Sequence, residues 1–142
     1  MSGGETLPAG AQLLRVLRDR PVHVVPGRRE PTPLAFQPSS ADEACSPVRV
    51  SVWDAEQVTV ARACEIRGGG DFAGFVLAAG DVAAVAEELV NPRLRAVTDP
   101  EGTTAPEAQW HYGIEGLEKS AWPDRLARHQ AMRRLAKACR PA

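Results

Sequence analysis

The chain has 142 residues, 44% of them apolar and 25% charged, which fits one ordinary globular domain and excludes a disordered or fibrous chain. Three Trp, three Phe and one Tyr leave the core to Val, Leu, Ile and 23 Ala, so the core should be small and thinly filled. The formal net charge of −1 conceals a segregation: residues 1–40 carry +2, residues 41–120 carry −8 and residues 121–142 carry +5.

Arg outnumbers Lys by 15 to 2, and Ala, Gly and Pro are abundant. All have GC-rich codons, so a high-GC bacterial source is expected and part of the Arg excess is a codon effect. Three Cys are an odd number without C-x-x-C spacing, which argues against a disulfide framework and a structural zinc site. There is no signal-peptide pattern and no apolar run near the ~18 residues of a membrane span, so a cytoplasmic location is expected.

In chain order, residues 1–7 are small and polar and should fray as a disordered tail. From Pro8 to Arg20 the spacing of Leu13, Leu14 and Leu17 predicts a helix bracketed by Pro8 and Pro21. Val22 to Val25 reads as a short strand. Residues 26–47 carry five Pro and form a long loop, pinned to the core by Leu34, Ala35 and Phe36. Val48 to Trp53 alternates as a strand does. Asp54 should cap a helix through Arg67, with Val58, Ala61 and Ile66 inward.

Gly68 to Gly70 end that helix, and their pattern is not that of a phosphate-binding loop. Phe72 to Ala79 reads as a buried strand, and Asp81 as the cap of a helix over Val82 to Val90. Arg93 to Thr98 is a strand, Asp99 to Pro106 a turn-rich loop, and Ala108 to Gly116 another strand. Pro123-Asp124 opens a final helix to about Arg140. The expected fold is a single α/β (α+β) domain over residues 8–142, with one mixed sheet of four to five strands covered by three to four helices.

Among residues able to do chemistry, His111 stands out. It lies beside Trp110 and Tyr112 near a strand start, where it could serve as a general base or bind a ligand edge, or simply pack on its neighbours. Cys64 and Cys139 read as small buried hydrophobes, and Cys45 as a loop thiol. His23 and His129 are isolated, so neither a metal nor a cofactor is expected. The final helix carries Leu126, Met132, Leu135, Ala136 and Cys139 on one face. Arg125, Arg128, Arg133, Arg134, Lys137 and Arg140 hold the rest, as a basic surface for nucleic acid or an acidic protein, or as a solvated face neutralising the acidic middle of the chain.

Arg29, Pro31, Thr32, Ala35 and Phe36 follow an R-P-[ST]-x-x-A-F pattern, and Ser51-Val52 fall in a strand after it. An Asp99-Pro100 turn then leads to His111, Ile114 and Gly116, matching a His-Ala-x-[IV]-x-Gly strand ahead of a basic terminal helix. In these motifs the chain from Arg28 onward resembles a group of short uncharacterised bacterial proteins. It departs from them at Glu30, which interrupts Arg-Pro, at Pro33, and at Tyr112, which stands where the group has Ala. The resemblance implies no named activity. It implies that the Pro-rich loop and the His111 strand line one site, and it suggests a place beside larger effectors in defence or toxin loci.

Three functions are therefore expected in turn. The first is a non-enzymatic accessory subunit that binds another protein, with Trp110 and His111 among its contact residues. The second is a small enzyme with His111 as acid/base and with Arg28 and Arg29 holding an anionic substrate. The third is nucleic-acid binding through residues 125–140.

Overall fold

The computed structural model describes residues 3–27 and 30–142. In chain order the strands are β1 (Gln12–Arg18), β2 (Val24–Val25), β3 (Glu30–Pro31), β4 (Arg49–Asp54), β5 (Phe72–Ala78), β6 (Arg95–Thr98), β7 (His111–Glu115) and β8 (Arg140–Pro141). The helices are α1 (Ser40–Glu43), α2 (Val60–Ile66), α3 (Ala79–Glu88) and α4 (Arg125–Ala138). The architecture is α+β, as the sequence predicts. The main sheet has six strands in the order β6-β7-β4-β1-β5-β8, every pairing antiparallel, and β2 and β3 form a separate small ribbon.

The segment expected to be the first helix is β1, the strand between β4 and β5. Leu13, Arg15 and Leu17 alternate onto one face of the sheet, Leu14 and Val16 onto the other, and all five are buried. A strand covered on both sides carries no apolar–polar alternation, and Leu13, Leu14 and Leu17 then suit a helix equally well. Arg15 is tolerated inside because its Nε donates to Ala35 O at 3.0 Å and its Nη1 to Ser51 O at 2.9 Å. Burial, reinforced by the nearby Arg67, pulls its guanidinium down to about 10.

One face of the sheet packs under α3, α4 and the 3-10 turn Pro33–Phe36, around Leu13, Phe36, Phe75, Leu77, Ile114 and Leu135. The other face is partly covered by α2, around Leu14, Val16, Trp53, Val58 and Ala63. Ala35 and Phe36 pin the Pro-rich segment as expected, whereas Leu34, expected to join them, is exposed. That segment also holds α1, closed by reciprocal hydrogen bonds between Ser39 and Asp42.

Several boundaries move for local reasons. Helix α2 begins six residues beyond Asp54, because Thr59 is its cap, accepting from Arg62 N; Asp54 ends β4, Ala61 faces solvent and Ala63 takes the inward place. Helix α3 starts at Ala79, with Asp81 three residues in and its carboxylate accepting from Ala78 N. Strand β7 starts at His111, after a 3-10 turn over Ala108–Trp110. Residues 4–7, expected to fray, run along β6: Gly4 N donates to Thr98 O at 2.7 Å, Thr98 N to Glu5 O at 2.9 Å and Leu7 N to Ala96 O at 3.0 Å. Among the described residues, no helix is long and apolar enough to cross a membrane.

Candidate functional site

His111 opens β7 opposite Trp53 of β4, whose indole meets the imidazole edge-on at 4.6 Å between centroids. The ring is 2% exposed. Its Nδ1 lies 2.7 Å from the backbone oxygen of Asp99 and its Nε2 2.7 Å from Ser51 Oγ. The backbone carbonyl can only accept, so Nδ1 carries the proton and the Ser51 hydroxyl donates to Nε2. Burial pushes the imidazole pKa down, against the opposing pull of the Asp99 carbonyl and carboxylate.

Around this histidine runs a chain of charges. Arg49 reaches Asp99 Oδ1 through Nη1 and Glu115 Oε2 through Nε, each at 2.9 Å, and Arg95 Nε holds the second Glu115 oxygen at 2.9 Å. Burial works against the Arg49 charge, but the hydrogen bonds to Glu115 and Asp99 outweigh it and raise the pKa. The arginine stem crosses β7 at Gly113, where an added Cβ would come within 2.9 Å of Arg49 Cβ. Gly102 lies as close over the ring: a Cβ there would stand 2.1 Å from Asp99 Oδ2 and 2.8 Å from His111 Cε1. These contacts fasten the Asp99 loop onto β4, β6 and β7. None of the five grooves described in this molecule is lined by His111 or Ser51.

The Pro-rich segment and His111 lie on opposite faces of the sheet, Phe36 in the α4 core and Trp53, the neighbour of His111, in the α2 core. The His111 strand meets the Pro-rich segment through its opposite face, where Ile114 shares the core with Ala35 and Phe36, while the His111 side chain points away from that segment. Arg28 and Arg29 lie outside the described residues. Trp110 packs half-buried against the α2-side core.

Helix α4 divides the basic residues differently from the sequence reading. Arg128 is 8% exposed, with Nε donating to Leu117 O at 2.8 Å and Nη2 3.7 Å from Glu43, so it belongs to the inner face. Arg134 is paired with Glu88 of α3. Leu126, expected inside, is 69% exposed. What remains outward is Arg125, His129, Arg133 and Lys137, each four residues from the next. At 1.5 Å per residue that spacing makes a single row of about 18 Å. None of these four side chains makes an ion pair or hydrogen bond among the described residues.

Grooves accompany the row at each end. One of about 880 Å³, beside Trp122, is lined by Gln37, Lys119, Arg125, Arg128 and His129. A second of about 430 Å³ sits between Pro31, Pro33, Arg133 and Lys137. A third, of about 610 Å³, lies across Leu126 from the first and is bounded by Leu89, Val90, Trp122 and Ala127.

Val90 is the least expected of these. It closes α3 with φ +52°, a left-handed conformation that β-branched residues avoid, and it is 85% exposed. Its N–H donates to Glu87 O at 3.2 Å and Asn91 N to Ala86 O at 2.8 Å, the paired bonds that normally terminate a helix on glycine.

Sequence reasoning missed Lys119, His129, Val90 and the Arg49–Asp99–Glu115 chain. The four-residue period of the basic row was visible in the sequence. The cross-sheet ion pairs join positions 50 and 66 residues apart and leave no local pattern. In comparisons with known proteins, no family model, no curated protein and no solved structure matches this chain, and its functional reading rests on its own geometry.

Proposed function

We propose that this chain is a non-enzymatic protein-binding subunit whose docking face is the outer side of α4 with the grooves beside it. The observation that carries the reading is the row Arg125, His129, Arg133 and Lys137, unpaired among the described residues and flanked by an exposed Leu126 and Val90. A contiguous basic and apolar surface suits a partner that supplies acids and covers the apolar lip. An accessory role beside a larger effector in a bacterial conflict system fits this reading, and rests on the motif resemblance.

The test is affinity capture from a lysate of the native host, using the wild-type chain and a triple variant Arg125→Glu, Arg133→Glu and Lys137→Glu. One protein retained in stoichiometric amount by the wild type and lost by the variant is expected. Equal retention by both would place the interface elsewhere.

Nucleic-acid binding through the same row is the second reading, supported by Arg125, Arg133 and Lys137, which are unpaired among the described residues. The acid–base reading has less support: His111 is buried, with Nδ1 engaged by the Asp99 carbonyl and Nε2 by the Ser51 hydroxyl.

A further inference from the structure

We infer that the partner presents an acidic amphipathic α-helix, which lays its carboxylates along the basic row of α4 and seats an apolar side chain between Val90 and Leu126. This inference rests on the docking-face reading above and names the chemistry of the segment that the face receives.

The row fixes the charge and its spacing. Arg125, His129, Arg133 and Lys137 recur every four residues, about 6 Å along the axis. Carboxylates four residues apart on a facing helix recur at the same interval, so three meet the Arg125, Arg133 and Lys137 cations and one meets the His129 imidazole, a hydrogen-bonding group. An extended peptide would bring its own backbone N–H and C=O groups to a helix surface whose backbone is already paired, leaving them unsatisfied under the partner. A helical segment satisfies its backbone internally.

The apolar lip separates a protein partner from a nucleic acid. Single strands are held by stacking bases on exposed aromatic faces. The aromatic beside the row, Trp122, is 8% exposed and donates its indole N–H to Gly116 O at 2.7 Å, so it serves the fold. In its place, Val90 and Leu126 border a groove of about 610 Å³ whose walls include Leu89 and Ala127. A sugar–phosphate backbone gains nothing from those side chains; a Leu or Phe on the partner helix does.

Val90 adds an independent pointer. Glycine would satisfy the helix terminus without strain, yet a β-branched side chain is held there and displayed to solvent. Strain retained at an exposed position is accounted for when the side chain is used by what binds there.

The experiment is fluorescence anisotropy on the whole chain with three labelled probes. The first is a helical peptide of about 20 residues, with Glu at four-residue intervals and a Leu cluster at one end. The second has the same composition in scrambled order, and the third is a single-stranded oligonucleotide. The ordered peptide should bind at least about tenfold more tightly than either control. Arg133→Glu with Lys137→Glu should weaken it about tenfold or more, and Val90→Gly should weaken it about threefold while leaving the circular dichroism spectrum unchanged. Equal binding of ordered and scrambled peptides would overturn the helical partner and leave only charge attraction. Tighter binding of the oligonucleotide would overturn it in favour of nucleic acid. No binding of the ordered peptide at micromolar concentration would overturn it as well, while the capture experiment with the triple variant separately decides whether α4 is the docking face at all.

Discussion

At Val90 a single side chain sets stability against use. A left-handed conformation costs a non-glycine residue roughly 1–2 kcal/mol, and glycine's greater freedom in the unfolded chain returns part of that. Val90→Gly should therefore stabilise the fold by about 0.5–1 kcal/mol, read as a higher urea midpoint; a lower midpoint would show that Val90 is packed in solution. Gly113 is the opposite case. An alanine there meets the Arg49 stem, and moving Arg49 strips Asp99 and Glu115 of a shared cation, so Gly113→Ala should cost about 2 kcal/mol or more. Equal midpoints for variant and wild type would refute that role for the crossing arginine. His111 makes stability depend on pH. Its folded pKa lies below the ordinary value of 6.5, so between the two values the unfolded chain binds more protons. Its contribution is fully present above about pH 6.5 and is lost as the pH falls through that value and below. His23 shifts the same way, from burial and then Arg15, Arg20 and Arg67, so the measurement compares urea midpoints at neutral and acidic pH in His111→Gln and His23→Gln. The acid loss should shrink mainly in the His111 variant, and an undiminished loss would assign it to other groups.

Helix α4 is a scaffold on one side and an open surface on the other. Leu135 is fully buried between the sheet and α4, so Leu135→Asp should cost about 4 kcal/mol or more through an unpaired charge in the core. Reversing Arg125, Arg133 and Lys137 should leave the melting temperature within a few degrees, because exposed charges contribute only ~0–1 kcal/mol each. A large loss in the triple variant would mean that the row is packed against the acidic part of its own chain. The same helix shows what sequence makes legible. Its length, its Asp124 cap and the buried Met132, Leu135 and Ala136 follow from local periodicity and capping. Strand β4 and strand β5 are legible for similar reasons, one by alternation and one by a short apolar run between breakers. Strand β1 is not, because burial on both faces erases the period that would mark it. The orientation of Leu126 and Arg128 is not legible either. It depends on which carbonyl stands opposite, here Leu117 O, and that is decided by the chain's path some ten residues earlier.

Across the whole molecule the charge segregation has two different fates. Acids of the middle segment are engaged largely by arginines of that same segment: Arg49 and Arg95 with Glu115, Arg49 with Asp99, and Arg62 with Glu107. Among the described residues, the acids that pair with the C-terminal cations are Glu43 and Glu88. Partner affinity should therefore fall with ionic strength, and the dependence should flatten when Arg133 and Lys137 are reversed. A flat salt profile in the wild type would remove charge from the recognition. The segment over residues 4–7 has a further consequence at this scale. It occupies the outer C=O of Ala96 and the N–H and C=O of Thr98, which would otherwise stand open at the sheet's border. Deleting residues 1–7 would turn β6 into a self-templating seam, able to recruit the same strand of another molecule. The shortened chain should form concentration-dependent assemblies visible by light scattering, while the intact chain stays monodisperse in the same buffer.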